Sequence, residues 1–192
     1  MHDLDGGGDS LTELGWKQAE QLGKRLEKRS FSGIYVSAMR RAQETAAAIN
    51  EYVDAPIRFF PEIHEIYRGS EELALETLPE RRECYVQFFK QMAKRAADSP
   101  FKDGESFQEI VDRGTLLLDT LKQNKSGSEA VLVVTHGGLL RFLLGISILG
   151  DSFTPRQIGN FMDIATINTG ISEFELTDEQ FRLITWMDQA HL

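Results

Sequence analysis

The residue with the sharpest chemical setting is His136, inside the stretch AVLVVTHGGLL that runs from Ala130 to Leu140. Four apolar residues, Val131 to Val134, precede Thr135-His136-Gly137-Gly138, and a second apolar run, Leu139 to Leu149, follows. A histidine between a strand-like and a helix-like segment sits where unpaired N–H groups at a helix start attract anions. Gly137 and Gly138 let the backbone approach such an anion closely, and the imidazole adds a titratable donor. The pattern suits a phosphate-binding histidine, and equally one that only caps its helix. Ser37-Ala38-Met39-Arg40-Arg41 repeats the arrangement after the run Phe31 to Val36. It puts Arg40 and Arg41 in a helix's first turn, where the dipole disfavours cations and an anion partner for Arg41 would offset the cost; for Arg40 ordinary surface charge suffices. After a third short run, Ile57 to Phe60, come Glu62, His64 and Glu65, titratable groups at a strand end in position for acid–base work or in a solvated loop.

The elements that must position these residues follow from periodicity. Val131 to Val134 reads as a strand buried on both faces of a parallel sheet. Leu11, Leu14, Leu22 and Leu26 line one face of a helix reaching about Lys28, with Ser10 and Glu13 as a capping box. A second helix is expected over Ala38 to Tyr52, capped by Ser37, with Ala42, Thr45, Ala46 and Ile49 inward. Glu72 to Ala97 reads as an amphipathic helical cap over the sheet edge, broken at Pro79. Ser106 and Glu109 cap a further helix whose buried stripe is Phe107, Ile110, Val111, Gly114, Leu117, Leu118 and Leu121. Lys122 to Glu129 is a polar loop, and Met1 to Asp9 an irregular segment. Thr154-Pro155 starts a short helix, and Ile164 to Leu176 and Phe181 to Met187 are strand-like runs around a hairpin at Thr177 to Gln180. Strands alternating with helices imply a three-layer α/β fold, a mostly parallel sheet with helices on both faces. Its carboxyl edge is where ligands bind.

Length and composition bound the function. At 192 residues the chain can bury a full core as one domain. A formal net charge of −9 argues against general nucleic-acid or membrane-surface binding, which need a basic face. No apolar run reaches the roughly 20 residues of a membrane-spanning helix. Cys84 is the only cysteine, so an internal disulfide is impossible, as suits a reducing cytoplasm. Four histidines and one cysteine show no zinc-like spacing, and no metal is expected.

Taken together the motifs resemble the histidine phosphatase superfamily, the phosphoglycerate mutase-like fold, over essentially the whole chain. Asp9 to Gly15 with Gln18-Ala19 is similar to the family's first helix, and Ser37 to Ala46 to its SPxxRAxxTA segment with Ala38 in place of proline. Ile63-His64-Glu65 with Gly69 resembles its LxE…G segment, Gly104-Glu105-Ser106 with Arg113 its GES…R stretch, Val134 to Gly138 its second histidine motif, and Asn168 a strand asparagine. Five segments in order carry the resemblance together. It implies a single domain over 1–192 with a helical cap at about 70–104. It also implies a cofactor-free, metal-independent phosphatase acting on phosphomonoesters through a phosphohistidine. Arg41, His136 and Gly137 would then bind the phosphate, and Glu65 would protonate the leaving group, with Glu105 the other candidate acid. Arg141 reads as peripheral. The partners implied are a small phosphorylated substrate and a second copy in a homodimer. The family opens with a strand ending in Arg-His-Gly whose histidine is the nucleophile, and that motif is absent here; His2 is the only upstream histidine. The first strand is therefore expected to be missing from the sheet. Mutase-type phosphotransfer and noncatalytic phosphate binding remain as rivals.

Overall fold

Two strands carry the architecture: β1 (Phe31–Val36) and β3 (Ala130–Val134) pair in parallel, with Ile34 opposite Leu132 and Val36 opposite Val134. Between them in the chain lies β2 (Ile57–Phe59), parallel to β1 on its other side, so the sheet order is β2-β1-β3. The computed structural model describes residues 10–73, 75, 77–124 and 130–192. A separate antiparallel pair, β4 (Ile171–Thr177) and β5 (Gln180–Asp188), follows. It turns through Asp178 and Glu179, both at positive φ, the two-residue geometry that matches strand twist.

Helices cover both faces of the parallel sheet. On one side α1 (Glu13–Leu26) and α2 (Arg40–Val53) bury Leu22, Leu26, Ala42, Ala46 and Ile49 against Ile34, Val36 and Val134. α3 (Ser70–Leu73) and α4 (Leu78–Met92) follow β2 in the chain. The second core joins α4 to α5 (Phe107–Gln123), α6 (Gly137–Leu149) and α7 (Ile158–Met162), through Phe88, Phe89, Phe107, Ile110, Leu117, Phe142 and Ile158. Apolar side chains at helical spacing explain both sets. The three-layer α/β reading holds.

Several expectations need correction. The cap of α1 is Thr12, whose hydroxyl accepts from the Gly15 N–H at 3.1 Å, because Ser10 instead donates to Glu44 at 2.8 Å. The break expected at Pro79 falls just before it: α3 ends at Leu73 and α4 starts at Leu78, with Pro79 in its first turn inside a Thr77–Glu80 capping box. Proline is tolerated there because a first-turn N–H has no intrahelical partner. Ile164 to Gly170 is no strand. The chain turns there, the Gly170 N–H donating to the Ile167 carbonyl at 3.0 Å and Thr169 standing at φ 58°. Asn168 therefore lies in a turn. Met1 to Asp9, with His2, and residues 125–129 of the expected Lys122 to Glu129 loop lie outside the described residues, while Lys122 and Gln123 belong to α5.

The largest departure concerns β3. Its residues Ala130 to Val133 are only half-buried, and Val134 alone is buried. Among the described residues no strand pairs with the β3 edge that faces away from β1. A cleft of about 1250 Å³ opens there, lined by Val131 to Val134, by Leu22 and Leu118 from the helices, and by Ile171 and Phe174 from β4. The half-exposed apolar side chains are the direct consequence of that open edge.

Candidate active site

The carboxyl ends of β1 and β3 set the site. Beyond Val36 the chain turns at the fully buried Ser37, whose hydroxyl accepts from the Met39 N–H at 3.2 Å. The same oxygen lies 2.8 Å from Nε2 of His136, which follows β3 and is 5 % exposed. His136 has extended backbone at the start of α6 and makes no side-chain cap hydrogen bond. Its ring is thus spent on Ser37 and the cleft rather than on capping.

Glu65 arrives from a third direction. After β2 a 3-10 turn, Pro61–Ile63, is pinned by the Thr135 hydroxyl donating to the Ile63 carbonyl at 2.8 Å. The Arg113 guanidinium donates to the carbonyls of Glu62 and His64, each at 2.8 Å. The Glu65 carboxylate then accepts from the Ile66 N–H at 2.9 Å and from the Gly138 N–H, at the α6 N-terminus, at 3.3 Å. A Cβ at Gly138 would stand 2.4 Å from Glu65 Oε1, so a larger residue there would push the carboxylate out of this position. Burial pushes the Glu65 carboxyl up, but the charges of His136 and Arg68 and the two N–H donors outweigh it and hold it below the ordinary range.

Arg41, second residue of α2, completes the set. It is half-buried, with Nη2 donating to Met39 Sδ at 3.2 Å. Burial, aided by the like charge of Arg68, lowers its proton affinity, while Glu65 opposes the shift. Arg41, Glu65, His136 and Gly137 all line the same cleft, at the end where β3 meets α6. Arg40 is exposed and paired with Glu44 at 2.8 Å.

The other carboxylate considered, Glu105, is engaged elsewhere. It accepts from Arg113 at 2.7 and 3.1 Å and from the Tyr67 N–H at 2.7 Å, and it does not line the cleft. Neither Glu62 nor His64 lines it. Sequence reasoning missed Arg68 and Tyr85 and set Arg141 aside, yet all three line the cleft. Arg141 was findable, one helical turn beyond Gly137 on α6. Arg68 stands three residues after Glu65, but its direction depends on the turn at Gly69, φ 105°, which no local pattern announces. Among the described residues no group of three or more His, Cys, Asp or Glu side chains could hold a metal ion. Chemically, the cations and the helix start suit a phosphate, and the carboxylate beside them suits a proton donor.

Comparison with known proteins places the chain in a family. Residues 4–189 match the family model described as histidine phosphatase superfamily (branch 1). A metal-independent phosphoserine phosphatase of Arabidopsis thaliana is 29 % identical over 186 residues, 95 % of this chain and 72 % of the relative. Phosphoglycerate mutase-like protein 4 of the same plant is 28 % identical over 189 residues, 95 % of this chain and 76 % of the relative. Among solved structures, Bacillus stearothermophilus YhfR superposes with a TM-score of 0.74 at 26 % identity, covering 94 % of this chain and 86 % of that one.

Proposed function

The chain belongs to the histidine phosphatase superfamily (branch 1), and on that premise we propose that its site is built to bind and hydrolyse small phosphomonoesters through a phosphohistidine. The observation that carries this reading is the meeting of Arg41, Glu65 and His136 on one cleft from three separate strand ends. Arg41 pairs two phosphate oxygens through its planar fork, and His136 and the Gly137 backbone hold a third. Phosphoryl transfer spreads charge over those oxygens, so preorganised donors supply most of the catalysis. A histidine nitrogen attacks phosphorus, the P–O bond to the leaving group breaks, and Glu65 gives that oxygen its proton. Water then hydrolyses the P–N bond. Glu65 is ionised in the empty site; an arriving phosphate dianion raises its pKa and loads it with the proton it must give.

The family nucleophile belongs to an Arg-His-Gly motif, and that tripeptide occurs nowhere in the 192 residues. This observation favours a second reading for the chain by itself, phosphate binding without turnover. The two readings share the phosphate site, and mutase-type transfer would use it too. Calorimetric titration with inorganic phosphate or vanadate tests that shared step. Arg41→Ala is expected to weaken binding about tenfold to a hundredfold, the worth of a bidentate charged contact. Equal affinity in the variant removes Arg41 from the site and the reading with it.

A further inference from the structure

Helix α2 starts from a residue that local rules disfavour. The position before a helix prefers short polar side chains, which accept from its first N–H groups. Here it is Met39, half-buried and in extended backbone, with no side-chain cap hydrogen bond. Its sulfur is used elsewhere. Met39 Sδ accepts from Nη2 of Arg41 at 3.2 Å and from the Glu65 N–H at 3.4 Å. The main chain beneath it is fixed. The Met39 N–H donates to the Ser37 hydroxyl oxygen at 3.2 Å, the same oxygen that lies 2.8 Å from His136 Nε2. The Met39 carbonyl accepts from the Ala42 and Gln43 N–H groups at 3.0 and 3.2 Å, closing the first turn of α2. One residue thus touches the arginine, the segment that carries the carboxylate, and the serine beside the histidine, although it does not line the cleft.

A thioether is a weak acceptor that carries no charge, and both properties suit this place. A guanidinium has five N–H donors, so one given to sulfur is compatible with a two-pronged grip on phosphate. A carboxylate at the same point would pair with Arg41 and repel an incoming phosphate. Sulfur aims the group and leaves its charge for the ligand. Leucine would fill the same space, but neither the Arg41 nor the Glu65 donor could bond to it. A local rule broken at a helix start, with the side chain turned towards site residues, is the pattern expected of a functional position. We infer that Met39 is a positioning residue: its sulfur fixes the Arg41 guanidinium against the Glu65 segment and so sets the spacing between the phosphate-binding cation and the acid.

This inference rests on the phosphate-site reading, and its test separates the two. In equilibrium dialysis of the full chain against radiolabelled inorganic phosphate, Met39→Leu is expected to bind about threefold to tenfold more weakly, the worth of a hydrogen bond. A residue that only packs would cost the same whether or not Arg41 is present, whereas a positioning effect vanishes with the group it positions. In the Arg41→Ala background, Met39→Leu should therefore change the affinity by less than about twofold. Met39→Glu gives a second reading that does not depend on the leucine variant folding: its carboxylate should pair with Arg41 and weaken phosphate more than Met39→Leu does. Phosphate binding by the parent chain with no loss in Met39→Leu, an equal loss in both backgrounds, or undiminished binding in Met39→Glu overturns the role of Met39 alone. Failure of the parent chain to bind phosphate overturns the phosphate site and this inference together.

Discussion

At the scale of single residues, Glu65 is the group whose state decides most. Its folded pKa is depressed below the ordinary glutamate value, so it stabilises the fold above about pH 4.3 and that contribution is lost as pH falls through its lower folded value. Phosphate placed beside it reverses the balance: the anion favours the protonated carboxyl. Binding at neutral pH should therefore draw a proton onto Glu65. Calorimetry in buffers of different ionisation heats reads that uptake directly, and Glu65→Gln should show less uptake than the parent chain under identical conditions. The variant should also bind phosphate more tightly at pH 7, with the gap narrowing as the pH is lowered. Equal proton uptake in both chains would mean that Glu65 is not the group that loads, and its role as acid would fall.

At the scale of elements, the site depends on how the segment from Glu62 to Ser70 is fastened to α5. Arg113 and Glu105 form that fastening, with side chains 9 % and 15 % exposed. Glu105→Ala would leave the Arg113 charge buried and unpaired. Breaking such a pair costs about 3–5 kcal/mol, and at this chain length each kcal/mol lowers Tm by about 2–4 °C, so a drop of about 6–20 °C is expected. Phosphate affinity measured well below the new Tm should change little, whereas an acid at the reacting atoms would alter the proton uptake described above. The fastening also explains what was legible beforehand. Helices α5 and α6 and the β4–β5 hairpin are written in local signals: the Ser106–Glu109 capping box, the glycine pair, the alternation around Asp178-Glu179. Arg41, Glu65 and His136 were legible because each follows a strand. The turn at Ile164 to Gly170 was not, because its apolar residues share the composition of a strand and only tertiary packing denies them a partner. Arg68 was hidden for a similar reason: Asp103, more than thirty residues away, fixes the backbone from which it projects.

At the scale of the whole molecule, the open edge of β3 couples fold to chemistry. The cleft beside it is walled by apolar side chains from α1, α5 and β4, and its far end is the phosphate site proposed above. An apolar strand of five to six residues, the usual strand length, suits those walls. Running parallel to β3 it would finish beside His136, so a motif at its end would reach the site. We propose that a strand ending in Arg-His-Gly belongs there, joining β3 to β4 and supplying the nucleophile. Among the described residues that edge of β3 has no strand partner, and unpaired N–H and C=O groups cost about 1–3 kcal/mol each when kept from water, against a total stability of about 5–15 kcal/mol. An open, apolar edge of this kind also recruits other chains. The 192-residue chain is therefore expected to self-associate or precipitate and to leave a generic aryl phosphate intact. A chain in which such a strand precedes residue 1 should sediment as one species and hydrolyse the ester. A third version, with the same strand ending in Arg-Ala-Gly, separates the two effects: it should recover the sedimentation but not the hydrolysis. A monodisperse and active 192-residue chain would place the nucleophile among its own histidines, His136 first. Recovered sedimentation without hydrolysis in the Arg-His-Gly version would instead favour binding without turnover.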